Sequence, residues 1–368
     1  MLKHYKLTLI GFGGVNRALV SIIHSHNAML AKTAGFRLSV VGISDSWLGS
    51  AFDAEGLPLD QLLCLPSEKG ALASLPTGLA QENNQALITH PAVDIVCEAT
   101  ITNPDNGQPA IDYCTWALAA GKHVTTTNKG PLAFAAKQLE TLAAKQGLGF
   151  EYEGTVMSGT PVIRYARNTL KGCELIGFEG ILNGTANYVL GLVEQGQTFA
   201  AAIKEAQDLG YAEANPDADL QGSDVKLKVV ILANTLLGQD LRPQDVACEG
   251  ITGLTEEVVR SAVSEGCHWK LIGKAQRNKQ GTVEVSVTPQ RLSQDHPLVG
   301  IQGATNAVMF TTDLLGDVLV AGPGAGRIET GFALLSDIIA IHEQQADSVK
   351  VNVSTESLAG QSTKGEPA

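Results

Sequence analysis

Asp224 and Lys228 stand four residues apart at the head of an apolar run that continues to Leu237. On a helix that spacing leaves the two side chains about 40° from eclipsed, whereas Lys226 lies about 200° from Asp224, so the geometry selects Lys228 over Lys226 as the partner. A carboxylate beside a lysine near an apolar pocket can hold the ammonium and tune it for proton donation to a forming alkoxide. The same spacing also describes a surface ion pair worth roughly 0.2–0.5 kcal/mol, and spacing alone favours that reading. Upstream, Gly210 and Pro216 stop one helix and force a loop, so Glu213, Asp217, Asp219 and Asp224 gather between two helices.

A second chemical signal lies near the start. Leu7-Thr8-Leu9-Ile10 runs into Gly11-Phe12-Gly13-Gly14-Val15-Asn16, followed by a helical pattern from Arg17. In a dinucleotide-binding loop the first Gly makes the tight turn, the second admits a pyrophosphate to the backbone, and the helix N-terminus stabilises the anion. Asn16 stands where a third Gly would allow close helix-to-strand packing, so the helix sits farther out or the amide helps to cap it. Asp45, ending the next strand, can accept hydrogen bonds from an adenosine ribose and repel a 2′-phosphate, which favours NAD over NADP; the alternative is an ordinary turn Asp.

These residues need a scaffold. At 368 residues the chain has material for two or three domains. It is 44% hydrophobic, only 17% charged and holds 39 glycines, which suits a buried sheet with many tight turns. A net charge of -12 disfavours nucleic acid and anionic membrane surfaces as partners. No apolar window approaches the roughly 18 residues of a membrane span. The six cysteines show no disulfide framework or zinc spacing, and a cytoplasmic location is expected.

Strand patterns at 6–11, 37–43, 93–98, 123–126 and 149–153 alternate with helical stretches at 16–32, 109–120 and 132–146. This is the α/β signature of a Rossmann-type domain. The segment 47–90 is irregular, with only a short helix expected near Leu72. Beyond Gly154 the pattern becomes α+β, with strands expected at 176–182, 269–277, 282–288, 307–310 and 317–320, and helices at 186–194, 200–209, 224–237 and 330–342. The expected organisation is therefore a nucleotide-binding domain over 1–152, a second, α+β domain over 153–321, and a helical segment over about 322–350. The polar residues 351–368 are expected to be a disordered tail.

The acidic loop resembles the signature of homoserine dehydrogenases, met here by Ala206, Gly210, Tyr211, Glu213, Asn215, Pro216, Asp219, Gly222, Asp224 and Lys228. Segments 124–130, 153–161, 180–188 and 322–326 look like the same family, in the family's order, and with the glycine loop the resemblance covers residues 7 to about 345. It implies that Lys228 is the proton donor, that Glu213 and Asp224 bind the amino acid substrate with Gly210 lining its site, and that Asp219 supports the acidic cluster. Lys129 would lie between nicotinamide and substrate. Thr100 and Thr102 would touch the nicotinamide half, with turn formation as the alternative. Gly326, with Thr330 nearby, would bring the C-terminal helix back onto the cofactor domain.

The resemblance further implies a structural sodium or potassium ion at Glu153, Val156, Ser158 and Thr160, held by one carboxylate and backbone carbonyls; a plain loop is the alternative. The implied reaction is NAD(P)-dependent interconversion of L-homoserine and L-aspartate 4-semialdehyde, in threonine and methionine biosynthesis, by a homodimer. No aspartate kinase or ACT domain is recognised, so a monofunctional enzyme without threonine feedback is expected. Competing readings are a dehydrogenase of the same fold acting on another amino or hydroxy acid, and a catalytically silent nucleotide-binding regulator.

Overall fold

A computed structural model describes residues 2–79 and 83–361, with side chains up to 346. The first half contains β1 (Lys3–Ile10), α1 (Gly14–Thr33), β2 (Phe36–Asp45), β3 (Gly49–Phe52), α2 (Leu59–Leu63), β4 (Gly78–Leu79), α3 (Asn84–Ile88), β5 (Ile95–Glu98), α4 (Ala110–Ala119), β6 (His123–Thr126), α5 (Lys129–Gln146) and β7 (Phe150–Glu151). These strands form one sheet in the order β4-β3-β2-β1-β5-β6-β7. From β2 to β7 the neighbours are parallel, because each is reached through a crossover. The short β3 and β4 extend the edge in antiparallel fashion. Helices cover both faces, so β1 buries Leu7, Leu9 and Ile10 and reads as a continuous apolar run.

The segment 47–90 departs from expectation. Leu72 is buried in a turn rather than a helix, and the segment instead holds β3, α2, β4 and α3. Elements of two to five residues broken by Gly and Pro are too short to show a period.

The second half contains α6 (Val162–Thr169), β8 (Leu175–Ile181), α7 (Gly184–Glu194), α8 (Phe199–Asp208), α9 (Asp217–Leu220), α10 (Ser223–Leu237), β9 (Ala247–Cys248), α11 (Glu256–Ser264), β10 (Cys267–Arg277), β11 (Val283–Ser293), β12 (Thr305–Thr312), β13 (Gly316–Pro323) and α12 (Arg327–Gln361). Its sheet runs β13-β12-β8-β10-β11-β9, with antiparallel pairings except between β9 and β11. Helix α10 lies directly on β10. A Cβ on Gly273 would come within 2.7 Å of Val229 and 2.8 Å of Val225, so glycine permits the close approach that fixes the helix carrying Asp224 and Lys228.

Helix α12 returns to the first sheet. Its Leu334, Leu335, Ile338 and Ile341 join Leu7, Leu9, Leu19 and Phe36 in one core, as expected for a segment completing the nucleotide-binding unit. The tail expected at 351–368 lies outside the residues whose side chains are described, and 362–368 lie outside the described backbone. No helix among the described residues is long and apolar enough to cross a membrane.

Candidate active site

The catalytic candidates meet where α5 of the first unit faces α10 of the second. Lys228 Nζ lies 2.8 Å from Asp224 Oδ2 and donates to the Leu182 carbonyl at 2.6 Å. Lys129, the first residue of α5, places its Nζ 3.5 Å from the other Asp224 oxygen. The Lys228 side chain is only 9% exposed, so this is a largely buried ion pair and not the solvated surface pair that the spacing equally allowed. Burial alone would raise the Asp224 carboxyl. The ammonium groups of Lys228 and Lys129, with hydrogen bonds from Lys228 and Asn183, overcome that penalty and hold it well below the usual carboxylate range.

Asn183, inside the 180–188 segment, receives no role from the sequence. It caps α7, accepting the Ala186 amide at 2.8 Å. Its Nδ2 donates to Asp219 Oδ1 at 2.7 Å and to Asp224 Oδ2 at 2.9 Å. One amide thus ties two carboxylates together. They titrate apart: Asp219 is pushed up, by burial first and also by its neighbour Asp224. The available signal was Asn-Gly-Thr where a strand turns into a helix, the N-cap pattern.

Thr185, two residues on, donates to the Tyr211 carbonyl at 2.7 Å and anchors the loop between α8 and α9. Gly210 ends α8 with φ +76°, a left-handed conformation that favours glycine. Glu213 is exposed on this loop, and among the described residues its carboxylate has no hydrogen bond or ion pair. Glu213 is not drawn into the Asp224–Lys228 cluster.

Beneath Lys129 lies a second polar layer. Glu98, fully buried at the end of β5, accepts from Thr100 N at 2.8 Å, Thr100 Oγ1 at 2.5 Å, Thr126 Oγ1 at 2.7 Å and Asn128 Nδ2 at 3.4 Å. Burial raises its carboxyl despite these bonds. Asn128 caps α5 through the Gly130 amide, and Thr102 donates to Asn128 Oδ1 at 3.0 Å. The turn-forming alternative for Thr100 and Thr102 is therefore realised: both hydroxyls build the loop that presents Lys129.

In the glycine loop, Gly11 adopts φ +79°, and a Cβ there would lie 2.8 Å from the Ala99 carbonyl oxygen. A Cβ on Gly13 would meet nothing within 4 Å, so the backbone is open to a ligand, and no side chain caps α1. This cradle fits a dinucleotide pyrophosphate. Phe12 is buried beneath the Arg17 guanidinium. Asn16 does not cap the helix. It is fully buried in the first turn and donates to the Gly11 carbonyl at 2.6 Å, so its amide ties helix to loop where a Gly would permit close packing. Asp45 Oδ2 accepts the Phe12 amide at 2.8 Å, while Oδ1 accepts Trp47 N and Leu48 N, each at 2.9 Å. Its turn-forming role is realised and clamps the glycine loop to β2.

The loop read as a cation site is tied down by its own side chains. The Glu153 carboxylate accepts the Ile163 and Arg164 amides, each at 2.8 Å, and so caps α6. Ser158 Oγ bonds Thr330 Oγ1 at 2.7 Å and Thr160 Oγ1 donates to the Pro323 carbonyl at 3.0 Å. The Glu153 carboxylate thus serves the α6 terminus and keeps acceptor capacity for a further partner. The loop packs on the start of α12, where Gly326 accepts from Thr330.

Comparison with known proteins agrees with this geometry. The family model "Homoserine dehydrogenase, NAD binding domain" matches residues 11–153, and the model "Homoserine dehydrogenase" matches 161–339. The chain is 54% identical over 342 residues to an NAD(+)-dependent homoserine dehydrogenase of Pseudomonas canavaninivorans, covering 93% of this chain and 97% of the relative. A crystal structure of a putative homoserine dehydrogenase from Archaeoglobus fulgidus superposes with a TM-score of 0.81 at 34% identity, covering 92% of this chain and 99% of that one. A hyperthermophilic archaeal homoserine dehydrogenase in complex with NADPH gives a TM-score of 0.78 at 27% identity, covering 92% and 97%.

Proposed function

The chain belongs to the homoserine dehydrogenase family, and from that premise we propose how its own residues perform the reaction. The protein is an NAD(P)-dependent oxidoreductase that interconverts L-homoserine and L-aspartate 4-semialdehyde. The bound dinucleotide supplies or accepts the hydride at its nicotinamide.

Lys228 is the proton donor to the substrate oxygen. An ammonium has three N–H donors. The Asp224 carboxylate and the Leu182 carbonyl engage two of them, leaving one for the alkoxide that develops on the substrate. This count, on a lysine held still by a buried partner, is the observation that carries the reading. Asp224 keeps the ammonium charged and positioned, and Asp219 supports it through Asn183. Lys129 adds positive charge from the nucleotide side of the cleft. Glu213, free on its loop beside Gly210, pairs with the substrate α-ammonium and so selects an amino acid.

The cofactor segment 11–16 receives the pyrophosphate, and Thr100, Thr102 and Gly326 shape the nicotinamide side. Asp45 Oδ2 carries a single amide bond and retains capacity for a ribose hydroxyl. This supports NAD over NADP, in line with the NAD(+)-dependent relative. Residues 1–152 with 322–350 form the nucleotide-binding domain, and 153–321 the substrate and dimerisation domain. A homodimer pairs through the second sheet, whose edge strand β13 exposes Leu319 beside Leu314 and Leu315. The six free cysteines suit a cytoplasmic location.

The test is nicotinamide reduction by homoserine with NAD or NADP, beside Lys228→Ala. The wild type turns over, while the variant binds cofactor but loses turnover by about 100-fold or more. Undiminished turnover would remove Lys228 from its role.

A further inference from the structure

Arg327, the first residue of α12, lies across the N-terminal turn of α1. A Cβ on Gly14 would sit 2.9 Å from Arg327 Cγ and Cδ and 3.0 Å from Nε, so the arginine stem covers Gly14 and its guanidinium stands beside the glycine loop. Helix register fixes this placement. One turn farther along α12, Gly331 packs so tightly on α1 that a Cβ would meet the Ala18 Cβ at 2.8 Å and the Leu19 amide nitrogen at 3.0 Å. Gly14 pairs with Arg327 as Ala18 pairs with Gly331, each four residues on. The two helices therefore run side by side with both N-termini at the glycine loop.

A cation at a helix N-terminus faces the positive end of the helix dipole, which is unfavourable unless an anion joins them. The one acid in the first turn of α12, Glu329, makes no ion pair with Arg327 among the described residues. The first turn of α1 has no acidic residue and no side-chain cap. Among the described residues the Arg327 side chain makes no hydrogen bond or ion pair, although it is exposed and long enough to seek one. Arg17, the other cation of this turn, is committed to the carbonyls of Phe12 at 3.2 Å and Leu65 at 2.8 Å. The Asp45 carboxylate accepts three backbone amides and makes no ion pair with Arg327. Next to the uncommitted guanidinium, the face of Gly13 is open.

The geometry points to Arg327 as a binding residue for the dinucleotide pyrophosphate, supplied by the C-terminal helix to a loop at the opposite end of the chain. This rests on the reading that the glycine loop holds the cofactor, and adds a contact that the dinucleotide fingerprint does not contain. The pyrophosphate is common to NAD and NADP, so Arg327 strengthens both without discriminating between them.

The experiment is calorimetric binding of NADH, NADPH, ADP-ribose and adenosine to the full chain. It compares wild type with Arg327→Gln, which keeps the stem over Gly14 but removes the charge, and Arg327→Lys. Arg327→Gln is expected to weaken NADH, NADPH and ADP-ribose alike by about tenfold, with adenosine unchanged, as for loss of a charge-assisted hydrogen bond. Lys restores part of the loss, and the KM for dinucleotide rises while kcat holds. Wild-type affinity for ADP-ribose in Arg327→Gln overturns the proposal, and so does equal weakening of adenosine, which would mean a general distortion. If wild type binds neither NADH nor ADP-ribose, the reading of the glycine loop fails and this inference falls with it.

Discussion

Lys129 and Lys228 meet on opposite oxygens of a single carboxylate, at 3.5 and 2.8 Å from Asp224. The two lysines come from different halves of the chain: one starts a helix of the nucleotide-binding sheet, the other lies on the helix that rests on the second sheet. Asp224 is thus both the counter-ion of the proton donor and the electrostatic link across the cleft in which hydride and proton must be exchanged together.

Asp224→Asn preserves size and leaves the two ammonium groups without the carboxylate they share. Removing one partner of a largely buried ion pair costs about 3 kcal/mol, and the proton donor loses its anchor. The expected outcome is a kcat lower by about 100-fold and a lower urea midpoint, with NADH affinity nearly unchanged because the glycine loop is untouched. Because the folded carboxyl sits far below its ordinary value, its stabilisation is present above that value and is lost only as pH falls through the depressed one. In wild type the acid limb of activity therefore does not belong to Asp224, and a variant with normal kcat would refute the arrangement.

Asn183 separates capping from catalysis. Alanine removes the N-cap of α7, worth about 1 kcal/mol, together with the amide shared by Asp219 and Asp224. Aspartate caps as well as asparagine but adds a third carboxylate to the pair. Asn183→Asp should therefore keep near-wild-type thermal stability while kcat/KM falls at least tenfold. If activity in the two variants simply tracks their stability, Asn183 only caps its helix.

The parallel strands and the long helices of both halves were legible because their apolar periods extend over many residues, and spacing alone chose Lys228 over Lys226. The burial that turns that spacing into chemistry was not legible, since it depends on Gly273 letting α10 settle onto β10. Asn183 and Glu98 lacked a signal of their own: each acts through partners brought in from other elements. That the Glu153 carboxylate terminates α6 was not legible either, since the amides it accepts lie ten and eleven residues farther on. Asn16 failed the glycine rule yet satisfies its purpose through a side-chain amide.

Asp45→Ala tests cofactor choice. Loss of the clamp on Phe12, Trp47 and Leu48 loosens the glycine loop for either dinucleotide. NAD loses a ribose acceptor in addition, while NADP is relieved of a nearby negative charge. Titration of NADH and NADPH should show both weakened, but NADH by about tenfold more. Equal losses would reduce Asp45 to a structural turn residue.

A buried cluster away from the active site predicts a pH response. Asp337 on α12 is fully buried, accepts from Thr125 Oγ1 at 2.7 Å and from Arg164, and has Glu151 and Glu153 close by. Burial first, then repulsion from Glu151 and Glu153, raises its carboxyl to about 8 although Arg164 opposes the shift. One guanidinium does not balance three carboxylates, so the cluster retains a proton near neutrality. For an acid raised on folding, the stabilisation is complete below the unfolded value of 3.8 and is lost as pH climbs through the folded one. Denaturant unfolding should therefore show wild-type stability falling between about pH 4 and pH 8. Asp337→Asn, which mimics the protonated form, should flatten that slope while retaining activity at neutral pH. An unchanged slope in the variant would assign the proton to another member of the cluster.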